Sequence, residues 1–546
     1  MTPPPTIPVR FNLADYLLFD RVREGLGAKS CLRFGARQYT YDAVARRARA
    51  FEAALETADV RRGERVLLVL PDVPPLVWAL FGVLARGCVA ALASPDLPAE
   101  TIDYLVQYTG ATAVVTVPRV AAALCDRTRG RARSLRRVWC VAEAVALSGS
   151  DDPEADASEV DGAAPLARAL APIEHATAPS LTHRDEPAIW LFTSGSTGEP
   201  KANVHSHRDF VFNTEVYAKR TVRYARGDVT VSVPRLSFGY ALGTNLFFPF
   251  AVGATVGLFS ERPTPESLAA AIDLYRPSIV TNVPTMLGKL LEYDGTQREL
   301  GRPGLDLSCV RFSLSAGEAL PPTLLRRWSS RFGSDVYDGI GSAEMFHIYA
   351  TNRPGDVRPG SVGKAVEGYE IRILPEDAEG PGARPVPPGE IGVLWVKGDS
   401  VSHGYWLDRD KSWKVFHGHW CRTGDLFRAD VDGYLYFAGR ADDLLKVSGL
   451  WVAPVEVEQC LMDHHAVLHA AVIGVEVDGL VTTKAFVKIR AGLTSGVELA
   501  AELKDFVRGR LAKHKCPRVI EFVDELPRTD RGKIDRRLLR ADSGPL

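Results

Sequence analysis

The chain has 546 residues, 46% of them hydrophobic, enough to bury a sizeable core and too many for one compact domain. Lys and Arg total 66 against 67 Asp and Glu, a net charge of -1, which excludes the broad positive field of a nucleic-acid or anionic-membrane binder and leaves small molecules as the expected partners. Eight scattered cysteines without a C-x-x-C pair give no zinc or disulfide framework and fit reduced thiols in a cytosol. The opening Met1-Thr2-Pro3-Pro4-Pro5 lacks the basic and apolar regions of a signal peptide. The longest apolar run, Leu76 to Ala85, stops well short of the ~20 residues a membrane helix needs, so a soluble, cytoplasmic protein is expected.

Along the chain, short apolar runs such as Val66 to Leu70 and Ala113 to Val117 alternate with amphipathic stretches of helical length. That pattern predicts an α/β fold of mostly parallel sheets flanked by helices. The stretch Ser148 to Ala164, rich in Asp, Glu, Ala and Gly, reads as a mobile surface loop. Strand candidates resume at Ala188 to Phe192, Ser278 to Thr281, Val310 to Leu314 and Asp335 to Tyr337, each running into a Gly-, Ser- or Pro-bearing turn. Ligands of open α/β sheets gather beyond the carboxyl ends of the strands, so these turns are where chemistry is expected. After Gly439 the pattern restarts as a smaller unit, which divides the chain into 1–439 and 440–546.

The richest segment is Thr193-Ser194-Gly195-Ser196-Thr197-Gly198-Glu199-Pro200-Lys201, directly after a strand candidate. Small residues let backbone N–H groups turn around an anion, hydroxyls add donors, and Lys201 supplies a cation. Glu199 and Pro200 between the last glycine and the lysine exclude a Walker A motif. A flexible Ser/Gly surface loop is the alternative, but the strand before it and the helix-capping sequence Ser206-His207-Arg208-Asp209 after it favour an ordered phosphate cradle.

TSGSTGEPK is similar to the signature loop of the adenylate-forming superfamily, which includes acyl- and aryl-CoA ligases, peptide synthetase adenylation domains and luciferases. Further segments follow in that family's order over essentially the whole chain. DGIGSAEMFHI and NRPGDVRPGSVGK resemble the benzoate-CoA ligases in particular. The resemblance implies ATP and coenzyme A as substrates, Mg²⁺ as cofactor, and a small mobile α+β C-terminal domain. It also implies that Gly317 and Glu318 border the adenine and that Asp338 meets its amino group, with Gly339 and Ile340 beside it. Glu344 would hold Mg²⁺, whose preference for oxygen ligands suits a carboxylate near phosphates. Asp425 and Arg440 would meet the ribose.

Splitting ATP at the α-phosphate develops charge that needs fixed cations. The resemblance makes Lys533, on the turn Pro527 to Asp535, the catalytic lysine of adenylation, acting with Lys201 and Glu344. Asp442 aligns with the hinge about which the small domain turns. That rotation would bring Lys446, Gly449 and Trp451 to the site for coenzyme A. The acid pocket is expected at Phe238, Gly239, Tyr240, Gly341 and His347, a flat apolar slot suited to an aromatic ring. The run Ser237 to Gly243 has no Asp to receive an α-ammonium group, which speaks against an α-amino acid. His207 is expected to face the acid or thiol channel, or else to lie at the surface.

Two positions depart from the family pattern: Ile340 stands where many relatives stack an aromatic ring, and Ala343 where a threonine usually donates to the α-phosphate. The expected function is ATP-dependent activation of benzoate or a substituted benzoate such as 2-aminobenzoate, then transfer to coenzyme A. A stand-alone adenylation enzyme that loads a carrier protein shares every residue named above and stays open as the alternative, as does a homodimer. A luciferase-like oxygenase has no positive sequence support. Ala343 alone would favour a degenerate nucleotide binder.

Overall fold

The computed structural model describes residues 4–128, 134–142, 160–170, 182–194, 199–447, 450–477, 480–490, 492–527 and 534–541. The apolar run Leu76 to Ala85 is part of a helix, Pro74–Ala85, in which every residue is buried. A helix that is hydrophobic all round belongs inside a large core, and this one packs on the amphipathic helix Tyr41–Thr57. Thr40 caps that partner by accepting from the Ala43 N–H at 3.1 Å. No helix among the described residues is long and apolar enough to cross a membrane.

Two large sheets carry most of the chain. The first has seven strands in the order Ala164–Pro165, Arg137–Cys140, Ala113–Thr116, Arg65–Val69, Val89–Ala93, β1 (Pro187–Ser194) and β2 (Pro200–Ser206), all parallel except β1 with β2. β1 and β2 flank the glycine loop, and their register sets Thr193 opposite Lys201. Helix α1 (His207–Asn213) follows at once. Asp209 accepts from the Ser206 N–H at 3.0 Å and from its hydroxyl at 2.6 Å, so the expected cap is present. Helix α2 (Gly239–Leu242) continues through wider turns to Val252.

The second sheet has nine strands, with a parallel centre that includes β3 (Ile279–Asn282), β4 (Phe312–Ser315) and β5 (Asp335–Gly341). Beyond β5 the chain doubles back as antiparallel β6 (Ile348–Thr351). The strand candidates of the sequence thus lie in these sheets, with ends that differ by up to four residues. Ala164 forms an edge strand with Pro165, while most of the acidic stretch from Ser148 lies outside the described residues.

The sheets are mostly parallel as expected, with an antiparallel exception between Glu370 and Arg440. There the strands Glu370–Leu374, Gly392–Lys397, Phe416–His417, β7 (Trp420–Ala429) and β8 (Leu435–Arg440) form an antiparallel sheet. A parallel crossover needs a dozen or more residues and usually a helix. Between Leu374 and Gly392 the chain is instead dense in Pro and Gly, and β7 and β8 are joined by a short turn. The one helix in this stretch, α3 (Arg409–Val415), lies between the strands Gly392–Lys397 and Phe416–His417.

From Leu445 onward the chain builds apolar clusters of its own. Val452, Val457, Leu461, Val472, Val487 and Leu503 form one. Ile473, Phe486, Leu526 and Leu539 form another. These cover a three-stranded sheet, Val467–Val477, Leu480–Ile489 and Val519–Phe522, and a hairpin, Leu445–Val447 with Leu450–Val452. The alternation of strands with short helices here matches the expected α+β unit.

Candidate nucleotide and acid site

The carboxyl ends of β3 and β4 and the middle of β5 bring Asn282, Ser315 and Asp338 into one row across the sheet, through the pairs Asn282 with Ser315 and Ser315 with Asp338. Asp338 is buried, and burial pushes its carboxyl up to about 8, against the pull of Ser315 and the Gly339 N–H. Its Oδ1, both side-chain polar atoms of Asn282 and the Ser342 hydroxyl are buried with no hydrogen-bond partner. Buried polar groups are almost always paired, so such a cluster at strand ends marks a surface built to bond something from outside the chain. A purine edge and its sugar, rich in donors and acceptors, fit it. Gly317, just past β4, has a φ of +91° that L side chains rarely adopt, and Glu318 accepts from the Thr285 hydroxyl at 2.6 Å. Ile340 pairs with Ala350 and packs on the main core.

Charged groups gather on the side of β2. The segment Ser402 to Asp408 runs alongside that strand, with Val204 N–H to Gly404 O at 3.0 Å and Trp406 N–H to Ala202 O at 2.9 Å. It carries Asp408 to the Lys201 ammonium, which it meets at 2.6 Å. The same segment places the Tyr405 hydroxyl 2.7 Å from Glu344 Oε1, while Ser402 N–H donates to the Glu344 carbonyl. On the neighbouring sheet Asp425 and Arg440 are register partners of β7 and β8, their charged ends 2.8 Å apart. Burial and then the carboxylates of Asp425 and Glu344 push the Tyr349 phenol well up. Lys201, Glu344, Asp425 and Arg440, distant in sequence, therefore share one region.

The acid-pocket candidates converge beside it. His347 Nε2 donates to the Tyr240 carbonyl at 2.9 Å, which leaves Nδ1 as a bare acceptor, buried and without a partner, like the Tyr240 hydroxyl. Burial pulls the His347 imidazole down to about 3, so it is neutral at ordinary pH. Its ring lies against Tyr217, Tyr240, Phe248 and Phe346. His347 is delivered by a tight turn in which Phe346 adopts φ +66° and ψ -55° and the His347 N–H donates to the Met345 carbonyl at 2.8 Å. That is the rare, strained form of the γ-turn, of the kind found where surrounding structure holds a functional residue in place. Gly341 makes the turn possible, since a Cβ there would lie 2.5 Å from the His347 carbonyl oxygen. Phe238 caps the start of α2, and Gly239 faces the Phe346 carbonyl.

Several expected residues are not brought into view. Gly195, Ser196, Thr197, Gly198, Gly449 and Lys533 lie outside the described residues, as do the side chains of Ser194, Lys446 and Trp451. The backbones of Lys446 and Trp451 pair across the hairpin. Asp442 is exposed in the turn after β8, 3.7 Å from Arg440. His207 does not lie at the surface: it is buried at the start of α1, and its Nδ1 accepts from the Leu13 N–H at 3.1 Å.

Four residues went unnoticed in the sequence. His205 donates from Nε2 to the Ala343 carbonyl at 2.6 Å and meets Asp209 with Nδ1. Tyr405, Asp408 and Lys411 complete the charged cluster. Asp408 carried a signal, since it caps α3 by accepting from the Lys411 N–H. Among the described residues one His/Cys/Glu grouping could share a metal ion, His464, His465 and Glu502. It lies far along the chain from this site, and His464 Nδ1 accepts from the Ala466 N–H, so Nε2 carries the proton it gives to Glu502.

Parallel sheets whose strand ends hold buried, unpaired polar atoms, together with a cluster of lysines and carboxylates, define an α/β nucleotide-dependent enzyme. The chain belongs to the AMP-binding enzyme family, whose description matches residues 19–406, while the AMP-binding enzyme C-terminal domain matches residues 456–533. It is 38% identical to a benzoate–CoA ligase of Thauera aromatica over 99% of this chain and 98% of that one. It is 32% identical to an anthranilate–CoA ligase of Pseudomonas aeruginosa over 88% and 87%. Among solved structures, an anthranilate CoA ligase in complex with anthranoyl-AMP superposes with a TM-score of 0.88 at 32% identity, covering 98% of both chains. A benzoate CoA ligase from Burkholderia xenovorans LB400 gives 0.84 at 36%, covering 97% of this chain and 100% of that one.

Proposed function

We propose that the protein is an AMP-forming aryl-CoA ligase acting on benzoate or a small substituted benzoate such as 2-aminobenzoate. In the first half-reaction a carboxylate oxygen of the acid attacks the α-phosphorus of ATP, the bond to the β-phosphate breaks, and pyrophosphate leaves. In the second the thiol sulfur of coenzyme A attacks the acyl carbon, AMP leaves with the C–O electron pair, and the thiol proton is lost. The observation that carries this reading is the meeting of two halves in one region: an aromatic cluster with unmet polar atoms around His347 and Tyr240, and the charged set Lys201, Glu344, Asp425 and Arg440.

Asp338, with Gly317, Glu318, Gly339 and Ile340, would receive the adenine. Asp425 and Arg440 would orient the ribose, and Thr193 to Gly198 with Lys201 would take the phosphates. Glu344 fits Mg²⁺, a hard cation that favours one or two carboxylates plus phosphate oxygens; when bound, the ion would neutralise charge on the phosphates. We assign Lys533 to the bridge between the acid and the α-phosphate, and 440–546 to a small domain turning about Asp442. Its separate apolar clusters and the exposed turn at Asp442 support that division. The turn would exchange Lys533 for Lys446, Gly449 and Trp451 at the pantetheine path. Eight cysteines without a disulfide support the cytosol as compartment.

A panel of aromatic, aliphatic and amino acids, with AMP and thioester measured together, tests the reading. Benzoates are expected to give both products in equal amounts with free coenzyme A. Absence of ATP turnover with every acid sinks it. Transfer to a phosphopantetheinylated carrier protein in preference to coenzyme A would instead select the adenylation enzyme.

A further inference from the structure

We propose that Lys411 is a second phosphate-binding lysine, which with Lys201 holds the β- and γ-phosphates of ATP until they leave as pyrophosphate. The proposal rests on the ligase reading above and adds a residue to it.

Asp408 does two things at once. Its Oδ2 meets the Lys201 ammonium at 2.6 Å, and its Oδ1 accepts from the Lys411 backbone N–H at 3.3 Å. One carboxylate therefore fixes the cation of β2 and the turn that carries the second lysine beside it. The Lys411 ammonium forms no ion pair with a carboxylate among the described residues. It lies over the ring of Tyr405, 5.3 Å from the centroid, and the hydroxyl of that ring holds Glu344. Lys411 thus stands between the lysine assigned to phosphate and the carboxylate assigned to the metal ion.

The local charge balance asks for an anion. Two ammonium groups neighbour one carboxylate that ion-pairs with the first, and the second is half-buried, so water screens their repulsion less than at an open surface. Burial, and next the neighbouring Lys201, pull the Lys411 ammonium below its ordinary value, with Asp408 and Glu344 opposing. A polyphosphate between the two lysines removes that repulsion and gains two charge-assisted contacts. The β- and γ-phosphates are the natural occupants, since the α-phosphate must face the acid slot around His347.

Lys411→Met and Lys411→Arg in the full-length protein test this, with inorganic pyrophosphate plus Mg²⁺ and AMP as calorimetric probes and steady-state kinetics beside them. Loss of one partly exposed charge contact predicts about a fivefold weaker pyrophosphate affinity and a similar rise in KM for ATP in Lys411→Met. AMP affinity and KM for the acid are expected to stay within about twofold, and Lys411→Arg to recover most of the loss. Unchanged pyrophosphate affinity in Lys411→Met overturns the proposal. So does equal weakening of AMP and pyrophosphate, which would mark a packing role through Tyr405. If the wild-type enzyme forms aryl-CoA while Lys411→Met behaves like it, this proposal falls and the ligase reading stands.

Discussion

On the side assigned to phosphate and ribose, Lys201, Glu344, Asp425 and Arg440 already have protein partners: Lys201 with Asp408, Glu344 with Tyr405, Asp425 with Arg440. On the adenine and acid side, Asp338, Tyr240 and His347 each bury a polar atom that meets nothing. The difference follows from what desolvation costs. An isolated buried charge is far more expensive than an unmet hydroxyl or imidazole nitrogen, which costs about 1–3 kcal/mol. Charges are therefore held in place by protein partners before ligands arrive, and can act at once on developing charge. The neutral side stores its unmet bonds, and Asp338 joins it because burial keeps its carboxyl protonated. A ligand that fills those bonds recovers that cost as affinity.

Effects on the charged side should be the larger. Lys533 is assigned to complete that side, and Lys533→Ala is expected to slow adenylate formation by ~10²- to 10³-fold while sparing thioester formation from supplied aryl-AMP. Rapid-quench measurement of the two half-reactions separates them. Equal loss of both would show that the lysine serves the whole site and would blur the contrast between its two sides.

The neutral side should show itself in pH dependence rather than in rate. Asp338 titrates at about 8 in the fold against an ordinary 3.8, so the folded protein keeps a proton that the unfolded chain sheds. Stability from this group is full below the ordinary value and is lost as pH rises through about 8. His347, pulled down to about 3, and His207, to about 4, act with the opposite sign, losing stability as pH falls below their ordinary 6.5. Above about pH 6.5 both are neutral in either state, and Asp338 stands apart from them. Thermal melts of the ligand-free protein between about pH 6.5 and 8 should lose up to about 1.4 kcal/mol per pH unit through Asp338. Asp338→Asn is expected to flatten that slope, and a variant that keeps it would show that the carboxyl is ionised in the fold.

The two sides also differed in how well the sequence announced them. Lys201, Glu344, Asp425 and Arg440 sit in short motifs with glycines and hydroxyls at fixed offsets, and the strands before Lys201 and Glu344 were readable as apolar runs. The pocket residues Tyr240 and His347 were readable as aromatic and polar types near those motifs. The strained turn at Phe346 that delivers His347 was not, because no local pattern marks a positive φ at a phenylalanine. Asp408 and Lys411 escaped for a different reason. Their role depends on the segment from Ser402 lying beside β2, some two hundred residues earlier, and no local periodicity encodes such a pairing. The antiparallel sheet from Glu370 to Arg440 was legible only in retrospect, from the missing crossover helices.

The central claim is that an aromatic carboxylate attacks the α-phosphorus of ATP where these two sides meet. Benzoate carrying ¹⁸O in both carboxylate oxygens, turned over with ATP and coenzyme A, tests it through the mass of the nucleotide product. The account predicts AMP with one labelled oxygen and unlabelled pyrophosphate. Unlabelled AMP, or label in ADP or inorganic phosphate, would contradict it.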